Sequence, residues 1–234
     1  IRFRFLSVLS HELKAPLNAI DGYLKMIKER QFGNSVDAYD EMLDRSMERI
    51  KGMRQLILDL LDLTKIETGK PTQKLETVNI RKIVQMAVDT IRPYAIQKDV
   101  DVYINSRESI DMKADPGEIE IIMNNLVSNA VKYNRIGGRV DIFLEKKEDK
   151  LKITVSDTGI GLKQEDKEKI FDDFVRIKSS QTREVTGSGL GLSIVKKIVD
   201  MYQGSIEVQS EPDKGTSFII TLIEPENNIL DHLK

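Results

Sequence analysis

Leu6, Ser10, Leu13, Leu17, Ile20, Leu24 and Ile27 recur at alternating steps of four and three. That spacing is a heptad seam, and it predicts a helix running from the start of the chain. The rhythm breaks at Gln31-Phe32-Gly33-Asn34-Ser35, where Gly33 and Asn34 are turn formers. It resumes through Leu43, Met47, Ile50, Met53, Ile57, Leu60, Leu61 and Thr64, with Leu56 and Leu63 widening the stripe. Two antiparallel helices cannot cover faces this broad by themselves. Residues 1–68 are therefore expected to be a helical hairpin that pairs with a second copy as a dimeric four-helix bundle.

Gly69-Lys70-Pro71-Thr72 is polar and helix-breaking, and opens a linker expected over 69–77. Beyond it the period changes repeatedly. Residues near 80–97 and Asp115–Tyr133 read as helices, as does Ser188–Tyr202. Strands are expected at Val100–Ile104, around Ile110–Lys113, at Arg139–Glu145 and Leu151–Ser156 about a charged turn, and near Ser205–Gln209 and Thr216–Leu222. Helices interleaved with strands that are partly antiparallel predict an α/β sandwich over 78–224, followed by an uninformative tail at 225–234. The whole is an α+β multidomain chain.

The chain has 234 residues, enough for two ordinary domains, and 36 basic against 38 acidic residues. A net charge of −2 gives no global attraction to nucleic acid or to anionic lipid. There is no cysteine, which excludes disulfides and thiolate-bound metals. The longest apolar run, Phe218–Ile223, is strand-length and far short of a bilayer span. The first residue is Ile1, already inside a helical pattern. The expectation is a cytoplasmic fragment of a longer protein, anchored to a membrane only through segments outside it.

Three groups of residues carry candidate chemistry. His11 lies beside the heptad seam and faces outward; Glu12 follows it, and Pro16 sits five residues on, where it removes the backbone hydrogen bond to the Glu12 carbonyl and favours a bend. A lone helical histidine is usually solvated surface. This one has a carboxylate and a bend beside it, and neutral imidazole is a competent nucleophile. The second group is a pair of glycine-rich turns, Asp157-Thr-Gly-Ile-Gly161 after a strand and Gly187-Ser-Gly-Leu-Gly191 opening a helix. Glycines admit a ligand close to the backbone, and a helix start offers unpaired N–H groups to phosphate. Neither turn matches a P-loop or a dinucleotide fingerprint. Asp157 closes a strand, where its carboxylate could accept from an exocyclic amine such as that of adenine, or could simply initiate a turn. Third, Asn125, Asn129 and Lys132 fall at i, i+4 and i+7 on one helix face. Two amides and an ammonium so aligned suit Mg²⁺ and a triphosphate, although a polar helix surface is the plain alternative.

Taken in order, these segments resemble the catalytic core of a sensor histidine kinase of two-component signalling. Phe5–Leu17 looks like the family's H-box, Asn125–Tyr133 its N-box, Asp157–Leu162 its first glycine box, Phe171-Asp-Asp-Phe-Val-Arg176 its F-box, Gly187–Val195 its second glycine box, and Gly215-Thr-Ser-Phe218 its closing strand. The resemblance covers roughly residues 1–223 and implies a dimerisation and histidine-phosphotransfer hairpin followed by a Bergerat-type ATP-binding sandwich. It implies that His11 takes the γ-phosphoryl group of ATP with Glu12 as base, and that the group passes to an aspartate on the receiver domain of a response regulator. Asn125 would bind Mg²⁺; Asn129, Lys132 and Tyr133 would lie near the triphosphate; Asp157 would take the adenine amine, with Gly159, Gly161 and Thr216 around it. A lid from about Asp172 to Thr186 would carry Arg176 and Lys178. Gly187, Ser188, Gly189, Leu190 and Gly191 would anchor it and offer backbone N–H groups.

The chain departs from the family's pattern in places. The residue four after the histidine, usually Thr or Asn and thought to orient water for dephosphorylating the partner, is Ala15, which implies weak phosphatase activity. Glu118 and Ile121 replace the commoner Arg and Gln, and Tyr202 replaces a frequent His. Two alternatives stay open at this point: a degenerate core that binds ATP and signals by conformation, and an ATPase of the chaperone or topoisomerase type, which would lack a His-bearing hairpin.

Overall fold

A computed structural model describes residues 2–67, 73–106, 109–177, 182 and 187–225, with residues 2–7 as backbone alone. The chain folds as two compact units, Ile1–Asp62 with Thr186–Ser188, and Leu63–Val185 with Gly189–Lys234.

The first unit is a helical hairpin. Helix α1 (Arg2–Lys28) continues through Pro16, and α2 spans Asp40–Glu67. The turn between them is fastened by Tyr39, whose hydroxyl accepts from Phe32 N (3.1 Å) and donates to Gly33 O (2.7 Å). Gly33 has φ +98°, a conformation glycine adopts without strain. Along the expected seam Leu13, Ile20 and Ile27 are half-buried, whereas Leu17 and Leu24 are exposed. Among the described residues, no helix is long and apolar enough to cross a membrane.

The second unit is a two-layer α/β sandwich. Its elements are β1 (Glu76–Asn79), α3 (Ile80–Gln97), β2 (Asp101–Asn105), β3 (Asp111–Ala114), α4 (Pro116–Lys132), β4 (Arg139–Lys147), β5 (Lys150–Asp157), α5 (Gly191–Met201), β6 (Ser205–Glu211) and β7 (Gly215–Ile223). Five strands form one sheet in the order β2-β4-β5-β7-β6, parallel only between β2 and β4. One sheet face, carrying Val140, Ile142, Ile153, Val155, Phe218 and Ile220, is buried, as are Ile83 and Val84 of α3, Ile122 and Leu126 of α4, and Ile194 and Ile198 of α5. Alternation along β4 and β5 has the period that a sheet with one covered face requires.

Two details differ from the sequence reading. Glu76 and Thr77, expected in the linker, begin β1, which pairs antiparallel with β3 as a separate two-stranded sheet. The helix expected from Ser188 starts at Gly191 instead. Gly189 sits at φ +74°, outside helical space, so the turn must finish before α5 can begin.

Candidate functional site

The candidate site is built on α4 and the strand ends beside it. Asp115 caps α4 through its carboxylate, which accepts from Gly117 N (2.9 Å) and Glu118 N (3.4 Å), and Pro116 follows in the first turn, where its missing N–H costs nothing. This fixes the rotation of the helix, with Ile119, Ile122, Met123 and Leu126 inward. Asn125, Asn129 and Lys132 share the half-buried flank. The Asn125 amide donates from Nδ2 to Ile121 O (2.8 Å), which directs its oxygen away from the helix's own carbonyls. That oxygen faces Gly191 so closely that a Cβ there would collide with it.

At the end of β5, Asp157 Oδ1 accepts from Gly159 N (2.8 Å) and Thr216 N (3.2 Å). Burial pushes the carboxyl up to about 6 against the pull of those two N–H groups. Its other oxygen has no hydrogen-bond partner among the described residues, so a half-buried acceptor is left for an incoming donor. The turn around it is tightly fitted. Ile160 N donates to Tyr133 O (3.1 Å), Leu162 N to Ser210 Oγ (2.8 Å) and Asp213 N to Ile160 O (2.8 Å). Any Cβ on Gly159 would strike the Tyr133 carbonyl, and any on Gly161 (φ +65°) the Glu211 carbonyl. Space demands glycine at both positions, and at Gly161 backbone conformation does so as well.

Thus Asn125, Tyr133, Asp157, Gly159, Gly161, Gly191 and Thr216 converge on one end of the sandwich. Arg176 is exposed, and its charge pulls the Tyr133 hydroxyl pKa down while burial pushes it up, burial being the larger effect. Gly189 lies against the Phe174 backbone; Ser188 is half-buried, Leu190 is fully buried, and Gly187 has open space around it. Lys178 lies outside the described residues, as does most of the expected lid; Thr182 is buried and donates to Ile177 O (2.8 Å). His11, Glu12 and Ala15 belong to the hairpin unit, all three solvent-exposed on α1.

Sequence reasoning missed a polar latch under this site. Asn134 is buried; its Nδ2 donates to Arg139 O (3.0 Å), and its Oδ1 accepts from Thr158 Oγ1 (3.2 Å) and from Arg135 N (3.0 Å). It ties the end of the α4 segment to the start of β4 and to the first glycine turn. Ser210 was missed likewise, although its hydroxyl bridges Leu162 N, Gly215 O (2.9 Å) and Thr216 Oγ1 (2.9 Å). The position of Asn134 directly after the amide-rich helix was a usable signal; Ser210 gave none.

A carboxylate with one free oxygen, a cradle of obligatory glycines and an amide oxygen on the neighbouring helix define the class: a nucleotide-binding α/β sandwich, here in the same chain as a helical hairpin with an exposed histidine. Residues 1–69 match the His Kinase A (phospho-acceptor) domain, and residues 114–226 the family of histidine kinase-, DNA gyrase B-, and HSP90-like ATPases. The chain thus carries, in order, the two domains of a sensor histidine kinase core, a phospho-acceptor domain and an ATPase domain. It is 32% identical over 226 residues to the non-motile and phage-resistance protein of Caulobacter vibrioides, covering 93% of this chain and 26% of that one. It is likewise 32% identical to the signal transduction histidine-protein kinase ArlS of Staphylococcus aureus, covering 93% of this chain and 48% of the relative. The chain therefore spans about a quarter to a half of these relatives' lengths. Among solved structures, the histidine kinase AdeS of Acinetobacter baumannii superposes with a TM-score of 0.74 at 21% identity, over 92% of this chain and 98% of that one, which speaks to the fold. The catalytic domain of the histidine kinase ThkA does so at 0.57 and 25% identity, over 64% and 96%.

Proposed function

We propose that this chain transfers the γ-phosphoryl group of ATP to His11 and then to an aspartate on the receiver domain of a response regulator. A ring nitrogen of His11 attacks the γ-phosphorus, the bond to the ADP oxygen breaks, and ADP departs; Glu12 takes up the proton or charge that develops on the ring. The phosphoramidate is energetic enough to be passed on. Catalysis of this kind is mainly positioning and charge neutralisation. Asp157 selects the adenine amine, Gly159, Gly161 and Thr216 shape its pocket, and Asn129, Lys132, Tyr133 and Arg176 serve the phosphates. Asn125, with its amide oxygen free, is the residue to hold Mg²⁺, which when bound neutralises phosphate charge. The second glycine turn, Gly187–Gly191, offers backbone N–H groups, with Lys178 an additional phosphate contact on the lid.

The observation that carries this reading is the exposed His11 on a separate hairpin, which a chaperone- or topoisomerase-type ATPase would lack. Incubation with γ-labelled ATP tests it. We expect acid-labile label on the wild-type chain and none on His11→Gln, with nucleotide affinity the same in both. Label persisting in His11→Gln would place the acceptor elsewhere.

The chain acts as a homodimer, joined through the apolar faces of α1 and α2. A finer part of the proposal concerns Ala15, one helical turn from His11. A methyl group cannot orient a water for hydrolysis of the partner's acyl phosphate, so the chain is a kinase with weak phosphatase activity. Ala15→Thr should speed loss of label from a phosphorylated receiver domain by about a hundredfold, the low end for one well-placed catalytic group; an unchanged rate would refute the role.

A further inference from the structure

Glu118 and Tyr202, two positions where the chain departs from the family's pattern, turn out to be partners. The Tyr202 hydroxyl, at the C-terminal cap of α5, donates to Glu118 Oε2 (2.7 Å) in the first turn of α4. The same carboxylate accepts from Gln73 Nε2, at 2.9 Å to Oε2 and 3.2 Å to Oε1. Tyr202 also accepts from Asp115 N (2.9 Å), while Asp115 Oδ2 accepts from Lys74 N (2.9 Å). Two consecutive residues of the chain ahead of β1 are thereby clipped to the first turn of α4. An arginine at 118 would bring donors to a place already occupied by two donors. A carboxylate is the group that accepts from both.

The location of this junction gives it significance. Glu118, Asn125 and Lys132 are spaced by seven, so Glu118 lies on the same stripe of α4 as the proposed nucleotide ligands, roughly 10 Å along the axis from Asn125. Helix α5 runs back along that stripe. Its first residue, Gly191, abuts the Asn125 amide oxygen, and its cap residue, Tyr202, holds Glu118. The α4–α5 pair is thus pinned at two points, one at the nucleotide end and one at Glu118. Gln73 grips the second.

We propose that Glu118 is a positioning residue through which the chain ahead of β1 sets the α4–α5 spacing at Asn125 and Gly191, and with it the affinity for nucleotide. The inference rests on the functional reading above, since it needs a nucleotide on α4. Its test uses the full chain, a non-hydrolysable ATP analogue with Mg²⁺ read by titration calorimetry, and thermal unfolding of each variant without nucleotide. Gln73→Ala and Tyr202→Phe should each weaken analogue binding roughly fivefold, the change one ordinary hydrogen bond carries. Gln73→Arg, which keeps a donor on Glu118, should restore it. Unfolding temperatures that fall while affinity holds would reduce the junction to a structural contact and overturn the proposal, as would Gln73→Arg behaving like Gln73→Ala. Wild-type chain that binds no analogue would defeat both this inference and the functional reading. Wild type that binds and labels His11, beside a Gln73→Ala variant of equal affinity, would defeat this inference alone.

Discussion

Helix α4 buries Ile119, Ile122, Met123, Leu126 and Val127 completely, whereas the longer α2 leaves Met47, Ile50, Ile57, Leu58 and Leu61 about half exposed or more. The contrast runs through both units. In the sandwich, a sheet assembled from distant strands meets three helices, and the apolar side chains between them are buried within the chain. In the hairpin, apolar side chains on both helices remain exposed. Contiguous exposed apolar surface of this kind marks an interface. The sandwich buries its core within one chain, while the hairpin is completed by a second copy in the proposed dimer. Introducing charge on the open faces should break the comparison most severely. Leu24→Asp combined with Ile57→Asp removes four buried side chains per dimer, roughly 6 kcal/mol at the low end of the usual value for each. Light scattering should then give the mass of one chain where the wild type gives two, with nucleotide affinity unchanged. A two-chain mass for the double variant would place the interface elsewhere.

Glycine sharpens the same contrast. A Cβ on Gly161 would enter the Glu211 carbonyl from a left-handed backbone position. Gly161→Ala should therefore cost about 3 kcal/mol in urea unfolding and abolish nucleotide binding. In the hairpin, a Cβ on Gly52 meets nothing within 4 Å. Gly52→Ala should stabilise the helix by about 1 kcal/mol, because alanine loses less backbone entropy on becoming helical. Should Gly52→Ala weaken the dimer instead, the glycine lies in the interface between copies.

What could be read from the sequence follows the same division. Helix and strand positions in both units were legible because periodicity reports burial directly, and the strands β4 to β7 fell within a few residues of expectation. The glycine turns and the amide stripe of α4 were legible because glycine and a polar row on a helix stand out against their neighbours. The start of α5 was misplaced because Gly189 and Leu190 look helical until φ at Gly189 is known. Strand β1 was hidden by its brevity: four residues, one of them fully inward, carry no period. Asn134 and Ser210 were missed for another reason. Their work is to satisfy backbone groups brought together by the fold, and Glu118 with Tyr202 became intelligible only as a pair separated by 84 residues.

A further predicted effect separates holding a nucleotide from holding a fold. Because burial lifts the Asp157 carboxyl to about 6 from an ordinary value near 3.8, the folded chain binds more protons than the unfolded chain between those two pH values. Its contribution to stability is present below the unfolded pKa and lost as pH rises through about 6. At pH 7 the folded chain therefore carries a charged, half-buried carboxylate at a cost of about 2 kcal/mol, allowing for partial access of solvent to a difference that would otherwise be worth about 3. Asp157→Asn removes that charge while its amide oxygen can still accept from Gly159 and Thr216. The variant should be more stable than wild type in urea at pH 7.5, with the difference vanishing near pH 4. Its affinity for ATP should fall at least tenfold, because an amide donor would then face the adenine amine. Wild-type affinity should likewise fall as pH drops below about 6, as the carboxylate takes up the proton that blocks its free oxygen. If Asp157→Asn gained no stability at pH 7.5, the carboxylate would be better solvated than its burial indicates. The sandwich would then hold that charge without cost.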